Sequence, residues 1–330
     1  MTDFGSAFAE RTAFVTGAYG MLGYWMVRAL LGRGARVVVL KRDQVTGSAI
    51  QLEGLEQRCN VVHGSIVDYA TVERAVCEYE VDTVFHLAAQ TIVGVSNRSP
   101  VSTFETNIKG TWNVMEAVRL NGVQRTIVAA SDKSYGSHDE LPYRESFALQ
   151  PRYPYDVSKA CTDLIARSYW HTFEVPVAVT RFANLYGGGD LNPSRLIPEM
   201  VNAVLHDRDP VIRSDGSPER DFLYAGDAAN AYLAISDALD AGQGRGEAFN
   251  AGGDAPHSVR EIVELIVKVS GSPVTPDYRG TGTPKGEIDR QYVDSTKLRT
   301  TSGWAPEVDL EEGLRRTVEW YRSHPEALTR

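Results

Sequence analysis

The sequence predicts an α/β fold in which helices cover both faces of a parallel sheet. Short runs rich in β-branched residues alternate with longer segments of helical periodicity from Thr12 to about residue 180. This rhythm is typical of a parallel sheet whose strands are joined by helices. After about Asn184 the chain changes to Gly187-Gly188-Gly189, scattered prolines and shorter elements. We therefore expect a smaller C-terminal α/β lobe after the sheet.

The individual elements follow from local patterns. The predicted strands are Thr12–Thr16, Arg36–Leu40, Val61–Val62, Thr83–Leu87, Thr126–Ala130 and Val177–Thr180. Between the first two strands, apolar residues recur at helical spacing from Leu22 to Leu30, and glycines at 32 and 34 suit a helix end followed by a turn. A long helical pattern reaches about Phe173, and Pro256–Val269 is one of the few clear helices of the C-terminal part.

Composition excludes several classes of protein. The 330 residues are 42% apolar, and their net charge of −9 makes nucleic acid and anionic membranes poor partners. Cys59, Cys77 and Cys161 lack metal-ligand spacing and suit reduced thiols, so no metal site is predicted. No apolar run approaches the length of a membrane span, and the N-terminus does not resemble a signal peptide. The expected location is the cytoplasm.

A glycine-rich turn joins the first predicted strand to the first helix. Gly17, Gly20 and Gly23 follow one another at three-residue spacing. The first two would let the backbone approach a pyrophosphate at the helix N-terminus, and Gly23 would let helix and sheet pack closely. This context predicts a Rossmann-type doubly wound parallel sheet with a dinucleotide-binding domain over residues 1–183. Residues 184–330 would mainly form a substrate-binding lobe, either separate from the first domain or interleaved with it.

The residues after the second strand leave the choice of cofactor open. NAD-binding chains often carry an acidic residue there for the ribose 2′-hydroxyl, but this chain has Lys41-Arg42-Asp43. A cationic pair would suit the 2′-phosphate of NADP, whereas Asp43 would still suit the ribose of NAD. The cofactor is therefore predicted to be NAD or NADP.

A second constellation predicts oxidation chemistry. Tyr155 and Lys159 are four residues apart on a predicted helix and therefore share one face. A tyrosine with an ordinary pKa of about 10 needs a neighbouring cation to act as a base, and Lys159 would supply it. Ser131 follows the fifth strand, at the sheet edge where ligands bind in such folds. It would donate to the same substrate oxygen.

Together these motifs resemble the extended short-chain dehydrogenase/reductase family over nearly the whole chain, to about Trp320. The resemblance is extended by His86-Leu87-Ala88-Ala89-Gln90, Thr106-Asn107 and the segment from Arg181 to Gly187. It implies a nicotinamide cofactor that contacts Gly17, Tyr19, Gly20, Met21, Leu22, Gly23, Lys41, Arg42, Ser65, Ile66, Leu87, Ala88, Ala89, Asn107, Tyr155, Lys159 and Arg181. It implies a nucleotide-diphosphate sugar as substrate, bound by Gln90, Asn184, Arg195, Leu196, Arg220 and Arg290.

The residues after Ser131 indicate the reaction. Asp132 and Lys133 make the string Ser-Asp-Lys, which resembles the CDP-glucose 4,6-dehydratases of this family, whereas 4-epimerases usually have small or hydroxyl residues there. Elimination of water across C5 and C6 needs a base and an acid, and the resemblance assigns these roles to Lys133 and Asp132. The cofactor would stay tightly bound and be regenerated in each turnover. Lys133, with an ordinary pKa of about 10.4, must be made neutral by its surroundings.

Several alternatives remain open. Asp132 and Lys133 are also explained as a solvated, turn-forming ion pair, in which case a 4-epimerase follows. A cofactor-sensing binding module without turnover is a third possibility. Arg220 and Arg290 resemble diphosphate-binding arginines, yet each is equally explained as a surface residue, and the base of the nucleotide is not readable. A homodimer through the helix carrying Tyr155 is expected by resemblance, although core packing explains the same periodicity.

Overall fold

A computed structural model describes residues 4–253, 255–282 and 289–328 of the chain. The strands are β1 (Thr12–Thr16), β2 (Arg36–Lys41), β3 (Asn60–His63), β4 (Thr83–His86), β5 (Arg125–Ala129), β6 (Val177–Phe182), β7 (Asn184–Tyr186), β8 (Val211–Ile212), β9 (Glu219–Tyr224), β10 (Ala248–Ala251), β11 (Pro256–Ser258), β12 (Asp277–Tyr278) and β13 (Arg290–Gln291). The six strands predicted from sequence are confirmed, with ends that move by one or two residues.

Helices fill most of the intervals between the strands. They are α1 (Met21–Gly32), α2 (Ala49–Leu52), α3 (Tyr69–Glu78), α4 (Val93–Arg98), α5 (Pro100–Phe104), α6 (Gly110–Leu120), α7 (Pro154–Phe173), α8 (Leu196–Leu205), α9 (Ala225–Asp240), α10 (Val259–Ser270), α11 (Thr296–Ser302) and α12 (Leu310–Ser323). Short 3-10 turns cover Ser6–Glu10, Glu56–Arg58, Asp132–Tyr135 and Pro325–Leu328, and a π-helical turn covers Glu105–Lys109.

The helix predicted at Pro256–Val269 begins three residues later than expected. Its first three residues form β11 instead, and the helix starts at Val259. The reason is a capping box, in which the Ser258 hydroxyl accepts from the Glu261 backbone N–H and the Glu261 carboxylate accepts from the Ser258 backbone N–H. These two bonds satisfy donors that the first turn would otherwise leave unpaired.

The central sheet has seven parallel strands in the order β10-β6-β5-β4-β1-β2-β3. Its register is fixed by pairs such as Thr16↔His86 between β1 and β4. The order reverses between β1 and β4, which opens a crevice at their carboxyl ends. The Rossmann-type doubly wound sheet predicted from sequence is confirmed. β10, which lies after residue 184, pairs with β6 and so adds a C-terminal segment to this sheet.

The core lies on both faces of the sheet. In β2, Val37 and Val39 pack with α1 and α9 on one face, while Val38 and Leu40 pack with α3 and α6 on the other. Successive strand residues alternate between faces, so a strand buried on both sides reads as a continuous apolar run. For this reason the strands are predicted from their alternation with helices along the chain, and not from an alternation of apolar and polar residues within each strand.

A smaller set of elements covers the carboxyl edge of the sheet. β9 pairs with β7, β11 and β13, and β8 pairs with β12. Helices α8, α10 and α12 pack around a separate apolar cluster that includes Val201, Ile262 and Leu314. Within the part of the chain that the structure describes, no helix has both the length and the apolar character needed to span a bilayer.

Candidate active site

A cleft of about 1190 Å³ opens at the carboxyl ends of the parallel strands. One wall consists of the turn after β1 and the ends of β2 to β5, and the other consists of residues that follow β6 together with α8 and β9. The cleft therefore lies where the strand order reverses, between the sheet and the smaller set of elements. This is the place at which open α/β sheets bind nucleotides.

The glycine turn forms the floor of one end of the cleft. Gly17 has a φ of 76°, and a Cβ there would lie 2.7 Å from the Ala88 backbone nitrogen. A Cβ on Gly23 would lie 2.1 Å from the Gly17 carbonyl oxygen. Neither position tolerates a side chain, because real Cβ atoms do not approach backbone so closely. Gly20 caps α1 without any side-chain hydrogen bond, which leaves the helix N-terminus free to bind an anion.

Most of the residues predicted to contact the cofactor line this cleft. They are Gly17, Tyr19, Gly20, Met21, Leu22, Gly23, Arg42, Ser65, Ile66, Leu87, Ala88, Ala89, Tyr155 and Lys159. The fit to a dinucleotide rests on the glycine turn, which lines the cleft and presents the uncapped N-terminus of α1 to a pyrophosphate. We infer from this cradle that the residues present suit the predicted cofactor.

His86 is a structural residue. Its ring lies within hydrogen-bond distance of the hydroxyls of Thr16, at 2.8 Å, and of Thr111, at 3.2 Å. Burial and the nearby Lys159 charge lower the pKa of His86 to about 3. A neutral ring with both nitrogens engaged joins β1 and β4 to α6 and does not transfer protons at neutral pH.

Tyr155, Lys159 and Ser131 converge in the cleft as the sequence predicted. Burial raises the pKa of Tyr155 to about 12, opposed by the Arg195 charge and by a hydrogen bond with Ser131. Burial also lowers the pKa of Lys159 to about 8, and its ammonium donates to the Ala129 carbonyl oxygen at 2.7 Å. The sequence reasoning named Lys159 as the cation that acts on Tyr155. In the structure the cation whose charge favours the phenolate is Arg195, and nothing in the sequence indicated this role.

Asp132 and Lys133 also line the cleft, directly after Ser131. The Asp132 residue is only 2% exposed and accepts a hydrogen bond from the Ser131 hydroxyl at 3.1 Å. Lys133 is half-buried, and its Nζ donates to Gln291 Oε1 at 3.5 Å. A solvated ion pair does not describe this arrangement, because Asp132 is withdrawn from water. The backbone N–H of Lys133 donates to Ser131 Oγ, which fixes the turn.

Two neighbouring residues were missed by the sequence reasoning. Gln291 on β13 is 1% exposed, and its Nε2 has no hydrogen-bond partner among the described residues. Burial raises the pKa of Asp156 to about 6, with Lys133 opposing and Asp132 reinforcing the shift. No local motif indicates either residue, since Gln291 arrives from a strand far along the chain and Asp156 reads as an ordinary first-turn acid of α7.

The other end of the cleft carries the predicted substrate contacts. Asn184, Arg195, Leu196 and Arg220 all line it. Arg195 forms an ion pair with Asp190 at 3.0 Å and donates to the Thr91 hydroxyl at 3.0 Å. Arg220 donates from Nη1 to the Glu219 and Asp289 carbonyl oxygens. Arg213 and Phe222, which the sequence reasoning did not select, face the same space.

The prediction of Arg181 as a cofactor contact is wrong. Its guanidinium is buried and donates to Asp163 through Nε at 2.8 Å and Nη2 at 3.0 Å. Thr180 and Phe182 line the cleft, but Arg181 lies between them on β6. It therefore points to the opposite face of the sheet, because strand residues alternate.

Lys41 does not line the cleft either. Leu40 and Arg42 line the cleft, whereas Lys41 lies between them and pairs with Glu56 at 2.6 Å. Its predicted contact with the cofactor is not supported, because the ammonium is buried against this carboxylate. The sequence could not show this, since Glu56 lies on a separate turn after α2.

Three further predicted residues do not line the cleft. The Asn107 side chain holds the backbone of Gln90 by two hydrogen bonds, at 2.7 and 3.1 Å, and donates to Ser158 on α7 at 2.8 Å. The Gln90 amide oxygen accepts from the Ile92 backbone. Arg290 is half-exposed and pairs with Glu219 at 2.5 Å. Asn107 and Gln90 thus support the wall of the cleft, and Arg290 is engaged at its outer edge.

Geometry and comparison together define the class of protein. A doubly wound sheet, a glycine cradle and a buried Ser-Tyr-Lys set describe a dinucleotide-dependent enzyme of the extended short-chain dehydrogenase/reductase type. Residues 13–252 match the model of the NAD dependent epimerase/dehydratase family. The chain belongs to this family, and the cofactor of the family is NAD. The resemblance inferred from the sequence motifs, including the sugar-nucleotide dehydratase branch, is confirmed.

Similar proteins include both dehydratases and epimerases. The dTDP-D-glucose 4,6-dehydratase of Mus musculus is 30% identical over 327 residues, covering 96% of this chain and 90% of that protein. The dTDP-glucose 4,6-dehydratase DesIV of Streptomyces venezuelae, solved with NAD bound, has a TM-score of 0.84 and 30% identity over 96% of this chain and 98% of that one. The UDP-glucose 4-epimerase of Thermotoga maritima, solved with UDP-glucose, has a TM-score of 0.86 and 29% identity over 94% and 99%.

Proposed function

We propose that this protein is a sugar-nucleotide 4,6-dehydratase of the CDP-glucose type, which converts its substrate to a 4-keto-6-deoxy sugar nucleotide. The observation that carries the proposal is the position of Asp132 and Lys133. Both line the cleft that contains Tyr155, one of them fully buried and the other held by Gln291. An epimerase has no use for an additional acid and base at this point, whereas elimination requires both.

The first step is oxidation at C4 of the sugar. NAD held at the glycine turn would supply the hydride acceptor for C4 and, once reduced, the hydride donor for C6. Tyr155 takes the proton of the C4 hydroxyl, and Ser131 donates a hydrogen bond to the same oxygen. Tyr155 is buried and its phenol favours the protonated form, so the positive charges of Arg195 and Lys159 are needed to stabilise the phenolate.

The second step is loss of water from C5 and C6. The new C4 ketone makes the C5 proton acidic, and Lys133 removes this proton as a neutral amine. Asp132 gives its proton to the departing C6 hydroxyl, which leaves as water. Lys133 ends this step protonated and returns its proton to C5 when hydride adds to C6, while Asp132 ends the step ionised. The proton that Tyr155 took from the C4 hydroxyl must then pass to Asp132 before the next turnover. The Asp132 charge acts on the Tyr155 phenol, and this closeness suits such a return.

At the other end of the substrate we assign Asn184, Arg195, Leu196 and Arg220 to the nucleotide diphosphate. Guanidinium groups suit this task because they bind phosphate oxygens through fixed, always-charged donors. Arg195 would then have a second role, since its charge also acts on Tyr155. We assign Arg290 a minor role, because it is paired with Glu219 at the edge of the cleft.

The experiment is a donor screen with mass analysis of the products. The full-length protein is incubated with CDP-glucose, dTDP-glucose and UDP-glucose. We expect a product lighter by one water, formed fastest from CDP-glucose. Isomerisation without a change of mass would instead establish a 4-epimerase, the alternative supported by the likeness to the Thermotoga maritima enzyme. Binding without any product would establish a sensing module.

Two variants test the assignment of the acid and the base. Asp132→Asn and Lys133→Met should each abolish the loss of water while leaving oxidation at C4 intact, seen as reduced cofactor that accumulates on addition of substrate. An exposed residue of the same charge, Lys268, serves as the control in Lys268→Met. Near-normal 4-keto-6-deoxy product from both variants would remove Asp132 and Lys133 from the mechanism.

We also propose that the protein pairs as a homodimer through α6 and α7. Support comes from apolar side chains that these helices leave exposed, with Trp112 45% and Leu164 58% exposed. Exposed large apolar groups on adjacent helices favour association. The molar mass in solution tests this, and Leu164→Glu should convert a dimer into a monomer. A wild-type monomer would contradict the proposal.

A further inference from the structure

The adenosine end of the cleft contains a charge cluster that the mechanism does not use. Arg42 and Asp43 follow β2, and Ser65 and Ile66 follow β3, and all four line the cleft. In doubly wound folds the ribose of the adenosine lies at the carboxyl end of the second strand. The cations at this point decide whether a 2′-phosphate is accepted there or only a 2′-hydroxyl.

The ammonium of Lys41 is fully engaged by Glu56. Lys41 Nζ donates to Glu56 Oε1 at 2.6 Å, and its side chain is 8% exposed against 18% for Glu56. The same ammonium lies 5.1 Å from the centre of the Tyr19 ring. A buried cation that already has a carboxylate and an aromatic ring as partners gains little from a phosphate, since the existing pair would have to break first.

Glu56 also holds the other polar groups of the cluster. The Tyr19 hydroxyl donates to Glu56 Oε1 at 2.7 Å, and Gln51 Nε2 donates to Glu56 Oε2 at 3.0 Å. Burial opposes ionisation of Glu56, but these bonds and the Lys41 bond outweigh it and lower the pKa of the carboxyl. Glu56 is therefore ionised at neutral pH. It withholds one cation and one hydroxyl donor from any ligand.

The second cation of the cluster, Arg42, is also paired with a carboxylate, although more weakly. Arg42 bonds to Asp43 Oδ2 at 2.6 Å, and both side chains are more than half exposed. Two cations thus face two carboxylates, and the cluster has no net positive charge. Asp43 lines the cleft and can accept from a ribose hydroxyl. Because exposed pairs contribute little, Arg42–Asp43 is a weaker determinant than the buried Lys41–Glu56 pair.

We propose that Glu56 is a specificity-determining residue, which makes the adenosine site select a 2′-hydroxyl over a 2′-phosphate by holding Lys41 and Tyr19. This carboxylate takes the place of an acidic residue at the end of β2, where this chain has a lysine. The inference rests on the proposed binding of a dinucleotide in this cleft but not on the reaction.

The test uses two adenosine probes that contain neither nicotinamide nor sugar substrate, so its outcome is independent of the proposed reaction. Affinities of the cofactor-free, full-length protein for AMP and for adenosine 2′,5′-bisphosphate are measured by calorimetry. We expect the wild type to bind AMP more tightly. In Glu56→Gln, Lys41 and Tyr19 become available, and the affinity for the bisphosphate relative to AMP should rise about tenfold or more, as for one charge-assisted hydrogen bond.

Four further variants assign the effect. Adding Lys41→Met to Glu56→Gln should remove the gain in bisphosphate affinity relative to AMP. Lys41→Met alone should leave the wild-type ratio of the two affinities unchanged, because the lysine is already paired with Glu56. Asp43→Asn should weaken AMP binding without a comparable gain for the bisphosphate. Glu78→Gln removes the same charge from the exposed Arg74–Glu78 pair on α3 and should change nothing.

Several results would overturn the proposal. One is a wild type that binds the bisphosphate as tightly as AMP. Another is a folded Glu56→Gln protein whose ratio is unchanged, or a double variant that keeps the gain. Should Glu56→Gln fail to fold, Lys41→Met alone still decides, because a loss of bisphosphate affinity in that variant would show that the lysine binds the 2′-phosphate despite Glu56.

Discussion

The buried ion pair between Arg181 and Asp163 provides the sharpest test of the corrected site. Arg181 is 1% exposed and Asp163 0%. The guanidinium makes two bonds to the carboxylate and further bonds to the Tyr135 hydroxyl and the Glu145 carbonyl oxygen, each at 3.1 Å. Asp163→Asn would leave this guanidinium without its charge partner inside the protein.

The expected loss of stability is large. Removing one partner of a buried pair costs about 3–5 kcal/mol, because the remaining charge stays desolvated. With a urea m-value of about 3 kcal/mol/M, the midpoint of unfolding should fall by about 1 M or more. Urea unfolding followed by circular dichroism measures this. Affinity for NAD, measured below the transition, should not change, since Arg181 does not line the cleft.

Two controls make this test decisive. The double variant Asp163→Asn, Arg181→Met removes both charges and should recover much of the lost stability. Glu78→Gln breaks an exposed pair and should cost about 1 kcal/mol at most. A wild-type unfolding midpoint for Asp163→Asn together with a loss of its NAD affinity would contradict this prediction, because Arg181 would then act on the cofactor.

Three other predictions concern the cleft itself. Gly23→Ala should abolish NAD binding, because its Cβ would lie 2.1 Å from the Gly17 carbonyl oxygen. The control Gly32→Ala should bind NAD normally, because a Cβ there would have nothing within 4 Å. Equal affinities of the two variants for NAD, measured by calorimetry, would refute this prediction. Lys159 has a pKa of about 8 in the folded protein, below its value of about 10.4 in the unfolded chain. The unfolded state therefore binds more protons between these values, and stability should rise with pH over that window in the wild type but not in Lys159→Met, as followed by urea unfolding. Gln291→Leu should slow exchange of the C5 proton with deuterated water while leaving KM and C4 oxidation unchanged, because the Gln291 amide oxygen accepts a hydrogen bond from Lys133. An unchanged exchange rate would dismiss Gln291 as a positioning residue.

The elements themselves were largely predictable from sequence. The strand positions follow from β-branched runs, and the glycine turn is a local motif whose spacing alone fixes strand, turn and helix. Tyr155 and Lys159 share a face because helical periodicity dictates it, and Ser131 lies at the sheet edge because it follows a strand. Each of these inferences depends on residues close together in the chain.

Errors arose where a residue's partner lies far away in the chain. Arg181 is one position away from residues that line the cleft, and the alternation of side chains along the strand turns it to the other face. Lys41 is instead held by Glu56 beside Tyr19, which lines the cleft. Sequence alone does not specify whether the odd- or the even-numbered residues of a strand face the crevice, because both faces of a central parallel strand are buried and apolar. The β10 strand was missed because its four residues pair with β6 only after the chain has passed through the smaller set of elements.

The sequence by itself determined the fold class, the family and the residues that carry the proposed chemistry, because strand, turn and helix signals act over a few residues. Only the tertiary structure decided how the charges are paired. Glu56 opposes Lys41, Asp163 opposes Arg181, and Gln291 meets Lys133 across 15, 18 and 158 positions of chain. Burial makes such pairing obligatory for a charged group, but the packing of distant elements selects the partner.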